Sequence, residues 1–223
     1  MNSPPRQLAL ALDHTESYGR DDFLPGPGNA SALELIDCWP DWPANNVVLI
    51  GPEGSGKTHL ATIWATAAGA RVISAHALGE GNLRQALATG ALVVENAAET
   101  TDERALFHLI NLAREERAFL LLTARMPPSA WLLTIPDVIS RLRAMPAVTL
   151  QAPDDVMLRA VMVKLAADRQ LALDESVVNY LSTRIERSFA AARAAVIALD
   201  NEALRQGRPA SRALAAEMFR GTA

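Results

Sequence analysis

The chain has 223 residues, of which 50% are hydrophobic and 21% are charged, the balance of an ordinary folded protein with room for one large or two small domains. Its net charge of −4 gives no basic field that would gather nucleic acid over a broad surface, so we expect no strong or sequence-specific DNA binding of its own. The single cysteine, Cys38, excludes an intramolecular disulfide. With no apolar run long enough for a signal peptide or a membrane span, we expect a cytoplasmic protein.

The N-terminal part of the chain differs in pattern from the remainder. Residues 1–22 hold Pro4, Pro5 and Gly19 among scattered charges, which predicts a flexible arm. From Phe23 onward, short apolar runs alternate with longer helical stretches, the pattern of βαβ units around a buried parallel sheet. We predict a doubly wound α/β domain with five parallel strands flanked by helices, at 46–50, 71–75, 91–95, 118–123 and 147–150.

Helix-start signals complete the predicted organisation. Thr100 and Glu103 have the spacing of a capping box ahead of a helix that runs to about residue 116. After Leu150 the strand pattern stops, and the chain continues in helical stretches, at 154–169, 174–186, 188–206 and 211–219. Their predicted N-caps are Asp154, Asp174, Ser188 and Ser211. The predicted domains are therefore the arm (1–22), a nucleotide-binding base (23–151) and a small all-helical lid (152–223).

One segment carries a specific chemical signature. Residues 51–58 read GPEGSGKT, which matches G-x-x-x-x-G-K-[ST] between a predicted strand and a predicted helix. The glycines let backbone N–H groups turn inward around phosphate oxygens, and the next helix presents its positive N-terminus to the same point. Lys57 supplies a cation for the outer phosphates, and the Thr58 hydroxyl suits Mg²⁺. The predicted cofactor is ADP or ATP with Mg²⁺, bound by Gly51, Pro52, Glu53, Gly54, Ser55, Gly56, Lys57, Thr58 and His59.

An acidic residue ends the third predicted strand. Beside a phosphate loop, Glu95 is expected to hold the Mg²⁺ through its waters, and Asn96 comes directly after it. Because an amide cannot act as a base for the attacking water, we expect at most slow intrinsic hydrolysis. If the register slips by one residue, Glu95 is the base and the metal loses a ligand.

On these residues the chain resembles AAA+ proteins, and within that class the DnaA family with its Hda regulators. Residues 21–36 are similar to the family segment that precedes the phosphate loop, which implies that Phe23, Leu24 and Asn29 lie near the adenine. LVVEN resembles the Walker B strand. Residues 120–131 resemble the sensor I strand and its proline-rich exit, which implies that Thr123 is the polar residue nearest the γ-phosphate.

The resemblance also assigns two arginines. IPDVISRL (135–142) is similar to the stretch that ends in the family's arginine finger, which would be Arg141 acting on a nucleotide held by a neighbouring subunit. Arg193 falls where the lid's sensor II arginine reaches back to the nucleotide. For Arg141 the alternative is an ordinary surface arginine in an ion pair.

The sequence departs from the family pattern in several places. Arg125 stands where DnaA and Hda proteins often have Asp, and Glu95 replaces the usual Asp. The interval between the loop helix and the Walker B strand is too short for the paired helices with which DnaA grips single-stranded DNA, and we expect no helix-turn-helix domain. The expected lack of these helices and of that domain argues against an initiator.

A short N-terminal motif implies a partner. QLALAL (7–12) is similar to the peptide by which Hda proteins dock on the sliding clamp of the polymerase, with Gln7 as the hydrogen-bonding residue and Leu8, Leu10 and Leu12 as apolar anchors. An edge strand is the alternative interpretation of the alternating leucines.

Together these features predict a nucleotide-bound regulator of replication initiation. The resemblance implies that it docks on the sliding clamp and promotes hydrolysis of ATP bound to DnaA, which makes DnaA and the clamp its partners. Two alternatives stay open: a DnaA-like helicase loader or adaptor, and an AAA+ ATPase that assembles with copies of itself.

Overall fold

The computed structural model describes residues 18–219, which form two compact units that divide between Ala152 and Pro153. The described strands all lie in the first unit, and the second unit is helical. None of the helices between residues 18 and 219 combines the length and the apolar character that crossing a membrane requires.

The first unit is built on a parallel sheet. Its strands are β1 (Asn46–Ile50), β2 (Arg71–Ser74), β3 (Ala91–Glu95), β4 (Phe119–Ala124) and β5 (Ala147–Thr149). They run in the order β2-β3-β4-β1-β5 and every neighbouring pair is parallel, which confirms the predicted five-stranded sheet. The inner strands β1, β3 and β4 are almost fully buried, as expected for apolar runs covered on both faces, whereas the edge strands β2 and β5 are short and more exposed.

Helices cover both faces of this sheet. They are α1 (Ala30–Asp37), α2 (Lys57–Ala68), α3 (Leu83–Ala86), α4 (Glu103–Glu115) and α5 (Pro136–Arg143). Because side chains alternate along a strand, Val47 and Leu49 of β1 pack with α1 and α2, while Val48 and Ile50 pack with α3, α4 and α5. The layers therefore enclose two apolar clusters, one on each side of the sheet.

Three of the four tryptophans pack on one side of the sheet. The Trp42 ring stacks on the Trp64 ring with 4.9 Å between centroids, and the Trp39 ring meets Phe119 edge-on at 5.8 Å. Both contacts lie on the α1 and α2 side of the sheet.

Helix α4 does not begin as predicted. Its N-cap is Asp102, whose carboxylate accepts a hydrogen bond from the Ala105 N–H at 2.9 Å. The hydroxyl of Thr100 bonds instead to the backbone of Asp102, and the Glu103 carboxylate turns to Thr134 and Ile135. The capping box was wrong because a nearer aspartate competes for the cap and a distant loop offers Glu103 more donors.

The second unit contains α6 (Asp155–Asp168), α7 (Glu175–Ser182), α8 (Phe189–Gln206) and α9 (Arg212–Met218), packed around their own apolar core. Asp154, Ser188 and Ser211 cap their helices as predicted, each accepting a backbone N–H three residues on. Asp174 makes no side-chain cap bond, and α7 ends at Ser182, four residues before the predicted end.

Candidate functional site

The phosphate loop joins β1 to α2 at the carboxyl edge of the sheet. Gly54 and Gly56 adopt left-handed backbone angles, with φ of 69° and 97°, which glycine accepts without a steric penalty. Gly56 is also the N-cap of α2, and Lys57 is its first residue. The unpaired N–H groups of the first turn of α2 therefore belong to the loop itself, as an anion site at a helix N-terminus requires.

Gly51 is held too tightly to carry a side chain. A Cβ atom there would lie 2.7 Å from both the Leu150 carbonyl oxygen and the Ser55 Oγ. The Gly51 N–H donates to the carbonyl oxygen of Ala124, the last residue of β4, at 3.1 Å. The start of the loop is thus fixed between the ends of two strands that flank β1.

Lys57 points back into the loop. Its side chain is buried, and Nζ donates to the carbonyl oxygens of Gly51 and Pro52, each at 2.7 Å. Burial lowers the pKa of Lys57, and the positive charge of Arg125 lowers it further, against the opposing effect of Glu53 and Glu95. An anion in the loop would oppose both effects, because a nearby negative charge favours the ammonium form.

Ser55 supplies a further polar group. It is fully buried, and its Oγ has no hydrogen-bond partner within the described structure. A buried hydroxyl left unpaired costs about 1–3 kcal/mol, so such groups are normally satisfied. The loop backbone at Gly54 and Gly56, the Lys57 ammonium and this hydroxyl together suit hydrogen bonding to the oxygens of a phosphate.

Strand β3, which ends in Glu95, and strand β4, which carries Thr123, are neighbours beside the loop. Asn96, directly after Glu95, has a left-handed backbone with φ of 54°, and its N–H donates to the Thr123 Oγ1 at 3.1 Å. Thr123 is buried and pairs with Leu49 of β1, so it lies between the loop strand and the acidic strand. Asparagine is one of the few residues that adopts this conformation readily, a backbone reason for Asn96 that the sequence pattern did not show.

Two protein groups are the predicted magnesium ligands. Thr58 is exposed in the first turn of α2, and Glu95 is half-buried at the end of β3. Within residues 18–219, no group of three or more His, Cys, Asp or Glu side chains is arranged to hold a metal. A cation here would therefore depend on phosphate oxygens and water as well as on these two residues.

The segment before α1 approaches the start of α2. The Phe23 ring is buried and meets the His59 ring edge-on at 5.2 Å, and a His59 ring nitrogen lies 3.0 Å from the Gly19 carbonyl oxygen. Leu24 is half-buried. The structure therefore brings Phe23, predicted to lie near the adenine, next to the phosphate-loop helix.

Asn29 has a structural task in this segment. Its side-chain oxygen accepts from the Gly26 N–H at 2.8 Å, and its amide nitrogen donates to the Leu24 carbonyl oxygen at 3.0 Å. These bonds fix the turn that carries Leu24, so Asn29 shapes the segment through its backbone.

Arg125 joins the site although the sequence marked it only as a departure from a family pattern. Its Nη1 lies 3.0 Å from the Glu53 Oε2 in the loop, and its Nε lies 3.9 Å from the Glu99 Oε1. The only sequence signal for this position was its place directly after the sensor-like strand.

The other predicted residues lie elsewhere. Arg141 is in the last turn of α5, with its guanidinium carbon 5.2 Å from the centroid of the Phe107 ring. Arg193 lies on α8 in the second unit. The predicted clamp-binding residues Gln7, Leu8, Leu10 and Leu12 lie outside the described residues.

The fold matches solved structures of the DnaA replication initiation protein and of the RuvB branch migration motor. Domain III of the Thermotoga maritima replication initiation protein DnaA superposes with a TM-score of 0.76 at 19% identity, covering 92% of this chain and 96% of that chain. The AMPPCP-bound DnaA of Aquifex aeolicus gives 0.67 at 20% identity, covering 85% and 67%. The RuvB Holliday junction branch migration motor of T. maritima gives 0.74 at 16% identity, covering 92% and 72%.

At the level of sequence, no protein-family model and no curated protein matches this chain. These three structures are less than 25% identical to the chain in sequence, so the similarity establishes the fold alone. The described chain therefore has the fold seen in DnaA domain III, with the predicted phosphate loop at the carboxyl edge of its sheet.

Proposed function

We propose that this chain binds ADP or ATP with Mg²⁺ and acts as a regulator that promotes hydrolysis of ATP bound to DnaA. The observation that carries nucleotide binding is the loop itself, where Gly51 has no room for a Cβ and the buried Ser55 Oγ and Lys57 Nζ face the same turn. One DnaA of the same fold holds the ATP analogue AMPPCP, which supports an adenine nucleotide as the ligand.

Each polar group of the site has a role in this proposal. Backbone N–H groups and Lys57 bind the phosphates, while Thr58 and Glu95 hold the Mg²⁺, which would offset phosphate charge. The Thr123 hydroxyl already accepts the Asn96 N–H, so its own proton is available to donate toward the terminal phosphate. Arg193 of the lid is proposed to contact the same nucleotide.

Slow turnover is expected from the residue after Glu95. Asn96 cannot accept a proton from water, so the bound nucleotide acts mainly as a structural cofactor. A regulator that works on a partner's ATP needs no fast hydrolysis of its own.

Arg141 is the proposed finger for the ATP held by DnaA. Among the described residues no carboxylate lies within ion-pair distance of Arg141, which weighs against the ordinary surface ion pair. Its guanidinium lies over the Phe107 ring instead, a contact worth only about 0.5–1 kcal/mol where water still reaches the cation. Such a contact orients the cation and leaves its N–H donors free for a phosphate.

Two measurements test nucleotide binding. Freshly purified protein is denatured and the released nucleotide is identified by chromatography, with ADP as the expected main species. Titration of nucleotide-free protein with ADP should then saturate in the micromolar range, and Lys57→Ala should abolish that saturation. Absence of any adenine nucleotide binding by the unaltered protein contradicts the proposal.

The regulatory step has a matched pair of variants on α5. Arg141→Ala should bring hydrolysis of DnaA-bound ATP down to the rate without this protein, because a finger is worth about a thousandfold or more in such reactions. Arg143→Ala, on the same helix and exposed, is the control and should stimulate like the unaltered protein. Both variants should bind ADP normally. Equal stimulation by both would refute the finger assignment.

The clamp contact is proposed from the N-terminal motif. Replacing Gln7 and Leu8 with Ala should abolish co-migration with the clamp and leave nucleotide binding unchanged. Co-migration that survives the replacement would refute the motif as the docking element. No co-migration of the unaltered chain would favour the helicase loader, and fast ATP hydrolysis by the isolated chain with ATP-driven assembly would favour the self-assembling ATPase.

A further inference from the structure

We propose that Arg125 is a second cation of the phosphate site, which contacts the terminal phosphate and so makes the site distinguish a nucleoside triphosphate from a diphosphate. This inference rests on the proposed nucleotide binding at the loop and adds a specificity-determining residue to it.

The backbone places Arg125 at the loop. Arg125 comes directly after β4, and the carbonyl oxygen of Ala124, its neighbour, accepts the Gly51 N–H at 3.1 Å. The first glycine of the loop is thus bonded to the residue beside Arg125.

The side chain of Arg125 turns toward the loop. Its Nη1 lies 3.0 Å from the Oε2 of Glu53, the third residue of the loop, and Glu99 lies farther away at 3.9 Å. The side chains of Arg125 and Glu53 are 53% and 73% exposed, so this ion pair is worth only about 0–1 kcal/mol. A pair this weak can exchange its carboxylate for a more highly charged anion.

Lys57 and Arg125 contact neighbouring residues of the loop. Lys57 Nζ donates to the carbonyl oxygens of Gly51 and Pro52, and Arg125 Nη1 lies beside the carboxylate of Glu53, the next residue. A polyphosphate in the loop would therefore meet two cations, and each would attract its oxygens through charge-assisted hydrogen bonds.

The two nucleotides should respond differently to this arrangement. A triphosphate carries a further phosphoryl group beyond the two that the loop backbone and Lys57 hold, and a guanidinium binds such a group through two parallel N–H···O bonds. We expect Arg125 to leave Glu53 for that group when a triphosphate binds and to stay on Glu53 when a diphosphate binds. The loop glutamate thus keeps the arginine in place until the third phosphate arrives.

The test compares ADP and AMPPCP, each with Mg²⁺, by calorimetric titration of the full chain. Arg125→Gln should weaken AMPPCP binding about tenfold or more while changing ADP binding less than about threefold, since charge-assisted bonds to one phosphate are lost. Equal weakening of both nucleotides, or no weakening of either, overturns the proposal. Neither nucleotide binding to the unaltered chain would refute the proposed function itself, a result distinct from both.

Arg84→Gln is the matched control. The Arg84 side chain is 86% exposed and lies 3.8 Å from the Glu116 carboxylate, so it also takes part in an exposed ion pair. Its neighbour Gln85 accepts a bond from Arg71 at the start of β2, so Arg84 lies near the opposite edge of the sheet. Its replacement should leave both affinities unchanged, which shows that loss of any exposed arginine is not enough.

Combining Arg125→Gln with Glu53→Gln tests whether Arg125 contacts the phosphate or only neutralises the charge of Glu53. If Arg125 only cancels the charge of Glu53, then Arg125→Gln with Glu53→Gln restores AMPPCP binding. If Arg125 contacts the phosphate, the double variant stays weak for AMPPCP and Glu53→Gln alone binds AMPPCP at least as well as the unaltered chain. Restoration in the double variant would overturn the proposed contact.

Discussion

The guanidinium of Arg141 lies 5.2 Å from the centroid of the Phe107 ring, so α4 holds the end of α5 that carries the proposed finger. One turn earlier on α4, the Glu103 carboxylate accepts the N–H groups of Thr134 and Ile135, at 2.8 and 2.9 Å, just before α5 begins. Residues four apart on a helix share a face. Glu103 and Phe107 therefore fix the two ends of α5 from one face of α4.

Phe107→Leu should reduce stimulation of DnaA-bound ATP hydrolysis about two- to fivefold. Leucine keeps an apolar side chain but removes the π face, which is worth about 0.5–1 kcal/mol to an arginine that water still reaches. Phe107→Tyr keeps the face and is expected to stimulate normally. Thermal melting of both variants checks that the fold is intact, and equal loss with Leu and Tyr would show that the ring face does not position Arg141.

Glu103→Gln tests the hydrogen bonds that hold the start of α5, through the pH dependence of stability. Burial opposes ionisation of Glu103, but hydrogen bonds from the Ile135 and Thr134 N–H groups outweigh it and lower the pKa of Glu103 below its ordinary 4.5. A carboxylate with a lowered folded pKa stabilises the fold above pH 4.5 and loses that effect as pH falls through the folded value. We expect Glu103→Gln to cost about 1 kcal/mol at neutral pH.

The measurement is denaturant unfolding of both proteins from pH 7 to pH 3. The stability difference between them should shrink below pH 4.5. Glu115→Gln, an exposed position on the same helix, is the control and should match the unaltered protein across the range. A difference that stays constant with pH would contradict the role assigned to the Glu103 carboxylate.

Asn96→Asp should raise intrinsic ATP hydrolysis by about tenfold or more, because a carboxylate can accept a proton from the attacking water. Aspartate tolerates the left-handed backbone at φ of 54°, so the N–H bond to Thr123 should persist. Single-turnover hydrolysis with prebound ATP measures the change, and Asn96→Ser separates loss of the amide from gain of a base. An unchanged rate with intact ATP binding would mean that Asn96 does not limit turnover.

Gly51→Ala should abolish nucleotide binding and destabilise the fold by about 1–3 kcal/mol, since its Cβ would lie 2.7 Å from the Leu150 carbonyl oxygen and the Ser55 Oγ. Gly79→Ala is the control because nothing lies within 4 Å of its Cβ and its φ of −152° suits any residue. Titration with ADP and thermal melting read the two effects. Normal ADP binding by Gly51→Ala would show that the close approach is not needed.

The sequence predicted correctly those features that depend on residues close together in the chain. It placed β1 at 46–50 and β3 at 91–95. It also placed the helix caps at Asp154, Ser188 and Ser211, each of which bonds to a backbone N–H three residues on. The prediction failed where a distant residue supplied the bonding partner. The Glu103 carboxylate does not cap α4 but accepts the N–H of Thr134, which is 31 residues away in the chain.

The sequence by itself determined the parallel α/β fold and the phosphate loop, because a loop of eight consecutive residues draws its shape from its own glycines and from the elements on either side. Only the tertiary structure decided which side chains share the site. The strand order puts β4 between β1 and β3, so Thr123 meets Asn96 and Arg125 meets Glu53. Which parallel strands become neighbours depends on packing across the whole sheet, and no local pattern records it.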